Sequence, residues 1–500
     1  MESFSLDTPL LNLPGYDSQW TVRNAVEGVQ IFGGIGSGKT SGSGRMLALK
    51  FLSAGFGGLV LTAKPDEKEL WQKYCQIAGR TDDLIIVEPQ GEHRFNFLDY
   101  EISKSKPGVP PTENIVQVLK TVIRASEEKS SGKSDDPFWE TALDMLLFNV
   151  IDLCNLAYGS VSVQQMYNIA QSLPSPDKKV AQQKTAFDIA MEKARQKVSP
   201  QIDRWENQLP TERLEEIKRN DFLYNEAASN DIPDARSMML IDQFFMNTFY
   251  NLSDKTRSTI EFSFTGFLFG LMRDPVYSLF CSGDSTFSPE DCERGKIIIL
   301  NLPVKVYHKI GRDCQIMFKY IWQRAMEKRD LKASDRPVFL WADEAQNFLH
   351  EHDPDYQATA RSSRIATVYI SQNLPNYHAN MGGSKSDFKV KSFLGTLATK
   401  IFHANADIET NRYASDLIGD GFFEETSSSE TASGQFSVSR SKAIKMDKIV
   451  RPEEFTFLKT GGDANRGKVE GYMHLQGNVL PKGLSHIKLV FDQEFKPKTA

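Results

Sequence analysis

The sequence has few cysteines and no long apolar run, and each of these absences argues against a class of protein. Its five cysteines are scattered, odd in number and without C-x-x-C spacing, so neither a disulfide framework nor a zinc site is indicated. The first residues lack the basic region and apolar run of a signal peptide. The longest apolar stretches, at 145–151 and 264–272, are far shorter than the roughly 20 residues of a membrane-spanning helix. We therefore expect a soluble protein of a reducing cytoplasm, without an integral membrane segment.

The chain also has no excess of basic residues. Its formal charge is −6 over 500 residues, which argues against a protein coated in basic surface. Any nucleic acid would then be held in a local groove or pore. The length suggests two or three domains, or one large α/β core with an insertion.

What the sequence does contain is a phosphate-binding loop that fits G-x-x-x-x-G-K-[ST] at every fixed position. The loop follows a short apolar strand at 29–32 and precedes a helical pattern at 45–52. In such loops backbone N–H groups wrap the phosphates, a lysine reaches the terminal phosphates, and a hydroxyl binds Mg²⁺. Lys39 and Thr40 are predicted to fill the last two roles. The predicted nucleotide-binding residues are Gly33, Gly34, Ile35, Gly36, Ser37, Gly38, Lys39, Thr40 and Ser41.

A second acidic site is needed to hold the metal and orient the attacking water, and the run at 338–346 supplies it. Four apolar residues predict a buried strand whose carboxyl end presents Asp343 and Glu344. We expect Asp343 to bind Mg²⁺ through water and Glu344 to polarise the nucleophilic water.

Polar residues farther along suggest two more roles. Gln372 ends a predicted strand at 365–372, where its side chain could lie near the γ-phosphate. Arg361 and Arg364 lie just upstream, and arginine is suited to bidentate phosphate contact, in ring ATPases often from a neighbouring subunit. A solvated surface arginine is an equal alternative for either.

Strands and helices alternate in two separated parts of the chain, which predicts a parallel sheet covered on both faces. Between them, helical periodicity dominates. We therefore predict an α/β nucleotide-binding domain formed by residues 1–102 and 291–500, with an all-α domain inserted at 103–290. A serine-rich flexible loop is predicted at 426–441, followed by edge strands or a hairpin in the C-terminal tail.

This order of features resembles the cytoplasmic motor domain of the TraG/TraD-type coupling proteins of conjugation and type IV secretion, within the FtsK/HerA group. The resemblance spans about residues 25 to 460. It rests on local matches at 33–40, 64–67, 94–99, 340–346, 360–364 with 371–372, 399–401 and 451–455. Thr62 stands where the family commonly has an aspartate, Phe97 replaces a usual proline, and the usual N-terminal membrane helices are missing.

The resemblance implies a RecA-like P-loop core, a Mg²⁺-dependent ATPase and a homo-hexameric ring with ATP between subunits. It also implies a central channel that translocates DNA, without sequence preference, and relaxosome or type IV secretion partners. By its position relative to Gln372, Arg361 matches the family's interface arginine better than Arg364 does. The protein would be cytoplasmic, or peripheral to the inner membrane through a partner. Two alternatives remain open: an ATP-driven receptor for protein substrates, and a nucleotide-dependent assembly switch that moves no cargo.

Overall fold

A computed structural model describes residues 4–15, 18–105, 111–131, 137–175, 183–381, 386–433, 435–477, 480 and 483–495. The chain divides into two compact units. The first unit comprises Met1–Ile86, Pro289–Val306 and Trp322–Ala500, and the second comprises Val87–Ser288 and Tyr307–Ile321.

The first unit is built on a large sheet. The strands of the described chain are β1 Pro9–Asn12, β2 Gln19–Thr21, β3 Val29–Phe32, β4 Gly57–Leu61, β5 Leu84–Val87, β6 Ile297–Leu300, β7 Val338–Asp343, β8 Ile365–Ser371, β9 Thr399–His403, β10 Asp420–Ser433, β11 Gln435–Lys448, β12 Lys468–Leu475 and β13 His486–Asp492. Nine of these form one sheet in the order β13-β12-β9-β3-β8-β7-β4-β6-β5. The central strands β9, β3, β8, β7, β4 and β6 pair in parallel, whereas β12 pairs antiparallel with both β9 and β13.

Composition explains why the central strands form. Every residue of β3, β4, β6, β7, β8 and β9 is buried, as expected for parallel strands covered on both faces. Because parallel strands all end at the same edge, the residues that follow β3, β4 and β7 come together there. The mainly parallel α/β fold class predicted from the sequence is confirmed.

The helices are α1 Val22–Val26, α2 Arg45–Ser53, α3 Glu67–Ile77, α4 Phe97–Ser103, α5 Thr112–Ser131, α6 Pro137–Tyr158, α7 Val163–Gln171, α8 Ala186–Gln208, α9 Thr211–Lys218, α10 Asp221–Asp231, α11 Pro233–Gln243, α12 Asp254–Leu271, α13 Val304–Glu327, α14 Asp353–Ala360, α15 Leu374–Met381, α16 Ser386–Gly395 and α17 Ile408–Ile418. A π-helical turn, Thr40–Gly44, leads directly into α2. Backbone dihedrals at His308 interrupt α13.

The described part of the second unit is mostly helical, from α4 to α12. Within α6, Phe138–Tyr158 meets the length and composition of a membrane-crossing helix, with a mean hydropathy of 1.2. Of its most apolar 18-residue window, 44% is buried in the protein, and core helices of soluble proteins can have the same length and composition. All five cysteines of the chain are unpaired and buried.

The structure corrects the flexible loop predicted at 426–441. Residues 426–433 and 435–441 belong to β10 and β11, which pair antiparallel from Asp420↔Lys448 to Ser433↔Gln435. Residues 422–427 and 441–446 of these strands are exposed on both faces, so this part of the pair has no buried apolar face. A strand of this kind lacks the hydrophobic alternation by which strands are identified in a sequence.

A buried histidine ties the helix after β3 to two neighbouring strands. His403, at the end of β9, is 1% exposed. Its Nδ1 lies 2.8 Å from the backbone oxygen of Glu470 on β12, and its Nε2 lies 2.7 Å from Ser43 Oγ. Since a carbonyl only accepts, Nδ1 carries the proton and Nε2 accepts from the Ser43 hydroxyl.

Burial, opposed by the hydrogen bond to the Glu470 carbonyl and assisted by the nearby charge of Lys39, lowers the pKa of His403 to about 4. An unfolded histidine titrates near pH 6.5, so between the two values the unfolded chain binds more protons than the folded one. The stabilisation from neutral His403 is therefore complete above pH 6.5 and is lost as the pH falls toward 4. We expect a loss of about 2 kcal/mol between about pH 7 and pH 5.

Urea unfolding of the wild type and of His403→Gln across that range measures this contribution. Other buried histidines, such as His474, titrate in both proteins. The difference between the two pH profiles therefore isolates His403, and parallel profiles would contradict its assigned protonation.

Candidate nucleotide site

The phosphate loop connects the end of β3 to the helical turn at Thr40–Gly44. Two of its glycines have left-handed backbones, Gly36 with φ of +71° and Gly38 with φ of +81°. A Cβ on Gly38 would also lie 2.5 Å from Val469 Cγ2, so this position excludes other residues for steric as well as conformational reasons. The conformation of this loop therefore depends on glycine at positions 36 and 38.

Lys39 lies inside this loop. It is 8% exposed, and its Nζ is 3.5 Å from the backbone oxygen of Gly34. Burial lowers the pKa of Lys39, while the charges of Asp343 and Glu344 oppose that effect. The loop thus wraps a lysine that faces two carboxylates.

Thr40 meets Asp343 at the edge of the sheet. Thr40 Oγ1 donates to Asp343 Oδ2 across 2.9 Å, although 303 positions separate the two residues in sequence. Asp343 is the last residue of β7 and is 3% exposed. The other carboxylate oxygen accepts from the backbone N–H of Glu344 at 2.9 Å. The two residues predicted for the metal are therefore in direct contact.

Glu344 follows in a left-handed conformation, with φ of +52°, which ends the strand and redirects its side chain. Its carboxylate accepts from Gln346 Nε2 at 2.9 Å, and Gln372 Nε2 is 3.3 Å from Oε1. Burial alone would raise the pKa of Glu344, but the Gln346 hydrogen bond and the charges of Lys64 and Lys39 outweigh it, and the pKa is lowered. Glu344 is therefore ionised at neutral pH.

Lys64 is a site residue that the sequence reasoning did not single out. It follows β4, and its Nζ lies 3.0 Å from Asp343 Oδ2 and 3.6 Å from Glu344 Oε1. Burial opposes its charge, but Asp343 raises its pKa to about 12 through charge and a hydrogen bond. Lys64 could have been found from its position directly after an apolar strand, because the ends of parallel strands lie at the same edge of the sheet. In the structure that strand, β4, is the neighbour of β7.

Glu67 is a second residue that was missed. Its Oε2 accepts from the backbone N–H groups of Ala63 and Lys64 at 2.6 and 3.2 Å, while its buried Oε1 has no hydrogen-bond partner. Burial and the charge of Asp343 raise its pKa. A cavity of about 10 Å³, the size of one water, lies between Glu67, Thr40 and Asp343.

A larger cleft of about 460 Å³, within the range of small-ligand sites, lies along the phosphate loop. It contains Ile35, Gly36, Ser37, Gly38, Lys39, Thr40 and Ser41 from the predicted loop, Glu344 and Gln372 from the later strands, and Arg45, Lys64, Leu70, Tyr74 and Lys305 that were not predicted. Gly33 and Gly34 precede the cleft lining, and Ile35 is 90% exposed.

The two candidate arginines lie outside the cleft lining. Arg361 follows α14 with its side chain 58% exposed, and its Nη1 is 3.3 Å from Glu27 Oε1. Arg364 donates to the backbone oxygens of Phe4 and Asp335 and pairs with the Asp335 carboxylate. Arg364 is thus committed to contacts within the unit, whereas Arg361 is the more accessible of the two.

The cleft fits a magnesium nucleotide by the chemistry of its groups. Hydroxyl and carboxylate oxygens, as on Thr40 and Asp343, are the ligands that Mg²⁺ prefers, and only one or two come from protein when phosphates supply the others. Among the described residues, no group of three or more His, Cys, Asp or Glu side chains could hold a metal ion. Ser37 Oγ is buried in the loop without a hydrogen-bond partner, which leaves it available to a phosphate oxygen.

Part of the sequence matches a known family model. Residues 337–460 match the family model described as the TraM recognition site of TraD and TraG. No curated protein gives a significant match to the sequence.

Solved structures of a conjugative coupling protein share the fold. The unbound bacterial conjugative coupling protein TrwBdeltaN70 superposes with a TM-score of 0.60 at 14% identity, covering 95% of this chain and 87% of the other. TrwB with the GTP analogue GDPNP gives 0.60 at 12% identity, with 99% and 91% covered. TrwB with ADP and Mg²⁺ gives 0.58 at 12%, with 96% and 88% covered. The resemblance to the TraG/TraD-type coupling proteins is thereby confirmed, by a family model at residues 337–460 and by the fold of TrwB over nearly the whole chain.

Proposed function

We propose that the chain is a Mg²⁺-dependent ATPase of the conjugative coupling-protein type, which hydrolyses ATP at the subunit interfaces of a hexameric ring and translocates DNA. The observation that carries the ATPase is the contact between Thr40 Oγ1 and Asp343 Oδ2, with Glu344 next to it and Lys39 in the same cleft. The coupling-protein assignment is supported by the fold of TrwB, whose structures include complexes with nucleotide analogues and with ADP and Mg²⁺.

The residues of the cleft have separable roles in this proposal. Backbone N–H groups of Gly33 to Thr40 bind the phosphates, and Lys39 compensates the charge of the terminal one. Thr40 and Asp343 would hold Mg²⁺, which supplies further charge compensation. Ionised Glu344 accepts a hydrogen bond from the attacking water and orients it for in-line displacement at the γ-phosphate.

Gln372 and Arg361 are proposed to link the site to its surroundings. The amide of Gln372, 3.3 Å from Glu344 Oε1, is placed to exchange that contact for one with the γ-phosphate. Arg361, exposed and outside its own cleft, is proposed to reach the site of the adjacent subunit. The residues lining the pore would contact DNA phosphates, so binding would not depend on base sequence.

A protein partner is proposed for the same chain. The segment that matches the TraM recognition site of TraD and TraG includes Asp343, Glu344 and Gln372, so a docked protein would sit on residues continuous with the hydrolytic site. We also propose that residues 103–290 form a helical insertion, and that the protein is cytoplasmic and reaches the membrane through a partner.

The Glu344→Gln variant tests the proposed hydrolysis. Loss of the carboxylate that orients water is expected to lower kcat by roughly 10²- to 10⁴-fold while ATP binding persists. Lys39→Ala is expected to abolish binding itself. Hydrolysis is measured with single-stranded DNA, with double-stranded DNA and without DNA, alongside nucleotide binding.

Glu69→Gln is the matched control, because this exposed glutamate on α3 lies outside the cleft lining. Wild-type rates that DNA does not stimulate would contradict the DNA motor and favour protein cargo. The assembly switch makes a different prediction. The protein would keep its function in the Glu344→Gln variant, which still binds ATP, and would lose its function in the Lys39→Ala variant.

Lys64 provides a second test of the metal site. Its ammonium lies beside Asp343, so it neutralises the same carboxylate that a cation would need. Replacing it with methionine, of similar length without charge, is expected to tighten binding of Mn²⁺ in the absence of nucleotide by about tenfold. Binding is measured by the electron paramagnetic resonance signal of free Mn²⁺.

Lys305→Met removes an equal charge from the same cleft and serves as the comparison. Equal Mn²⁺ affinity in the Lys64 and Lys305 variants would show that Lys64 is not the counter-ion of the metal site.

A further inference from the structure

The pair β10 and β11 forms a sheet of its own, which we call the ribbon. It comprises Asp420–Ser433 paired with Gln435–Lys448, a length of about 45 Å at the usual rise per residue. Among the described strands, neither β10 nor β11 has another hydrogen-bonded neighbour. Its base is anchored by the Ile449 N–H, which donates to the Gly419 oxygen, and by Lys448, which pairs with Asp416.

The ribbon exposes large apolar side chains and free strand edges, which folded proteins ordinarily cover. Residues 422–427 and 441–446 are exposed on both faces. The register pairs Phe422 with Met446 and Glu424 with Ile444, so the side chains of Phe422, Ile444 and Met446 share one face. They are 79%, 74% and 62% exposed, respectively. Isolated two-stranded sheets are marginally stable in water, and free edges invite pairing.

The two edges of the ribbon carry opposite charge. Strand β10 contributes Asp420, Glu424 and Glu425, with no basic residue in its sequence. Strand β11 has one acidic residue, Asp447, and several basic residues. Its basic residues include Lys442, Lys445 and Lys448. One edge of the ribbon is thus complementary to the opposite edge of an identical ribbon.

We propose that the ribbon pairs edge to edge with the ribbon of a second copy of this chain, β10 of one copy against β11 of the next. Ribbons related by a rotation axis point the same way along it, so these two strands run in opposite directions and can form an antiparallel ladder. The contact joins different edges and repeats from copy to copy, and a head-to-tail contact of this kind forms a ring when the rotation between copies closes. Closure leaves no free edge, and neighbouring ribbons extend the apolar face of Phe422, Ile444 and Met446.

The number of copies in this assembly rests on the ring in the proposed function. The contact between copies is inferred from the ribbon alone. Within one ribbon the charges are already partly paired, since Lys442 Nζ is 3.3 Å from Glu424 Oε2. A test must therefore separate pairing within a ribbon from pairing between copies.

Two variants with like-charged ribbons make that separation. Glu424→Lys/Glu425→Lys has a basic ribbon, and Lys442→Glu/Lys445→Glu has an acidic one. Each alone is expected to need at least about tenfold more protein for assembly than the wild type, because like charges then face each other between copies. A mixture of the two is expected to recover assembly, since acidic and basic ribbons alternate, although each ribbon remains like-charged internally.

Sedimentation velocity with a Mg²⁺–ATP analogue measures assembly over a range of protein concentrations. The fourfold variant that exchanges all these charges within one chain is expected to assemble like the wild type. Glu215→Lys/Glu216→Lys changes the same number of exposed glutamates on α9 and is expected to have no effect.

Normal assembly of both like-charged variants, or a mixture that does not recover, would overturn the proposal. A wild-type chain that stays monomeric would overturn it as well. Nucleotide binding by the same samples distinguishes failure of the ribbon proposal from failure of the proposed ATPase. If the ribbon proposal alone is wrong, the wild type still binds nucleotide in a way that depends on Lys39. If the wild type does not bind nucleotide, the nucleotide site itself is refuted.

Discussion

Two carboxylates and two lysines share a small, largely buried space at the carboxyl edge of the sheet, and the first compact unit of the chain is arranged to hold them there. Asp343 and Glu344 are 3% and 7% exposed, and Lys39 is 8% exposed. Charges at this depth are tolerated only when they are paired and hydrogen-bonded. Lys64 therefore stabilises the two carboxylates in the absence of a metal. In the proposed function, phosphate and metal charges take over that role.

The scaffold determines how accurately this space is built. The phosphate loop is fixed on one side by Val469 against Gly38, and the following turn is fixed by Ser43, which donates to the buried His403. Helix α3 packs on the sheet through Trp71, whose ring lies 5.4 Å from that of Phe339 and 5.3 Å from that of Trp341. That packing positions Tyr74 at the cleft. Strands β9 and β12, far along the chain, thus contribute to the geometry of a loop near the N-terminus.

Much of the sheet could be predicted because its strands are short apolar runs buried on both faces. The runs predicted at 29–32 and 365–372 correspond closely to β3 and β8. The ribbon could not be predicted in this way, since a strand solvated on both faces lacks a hydrophobic pattern and its serine-rich sequence is typical of a loop. Lys64 and Glu67 were missed as site residues for another reason: their role depends on β4 lying beside β7, which no local pattern specifies.

The sequence by itself determined the phosphate loop and the apolar strand that ends in Asp343 and Glu344, because glycine spacing and strand burial are local constraints written in neighbouring residues. Only the tertiary structure decided that Thr40 contacts Asp343, that Lys64 pairs with both carboxylates, and that Arg361 is exposed outside the cleft lining while Arg364 bonds to the backbone around it. These contacts join residues that are distant in sequence, and the order and register of parallel strands, which set them, emerge only when the whole sheet packs.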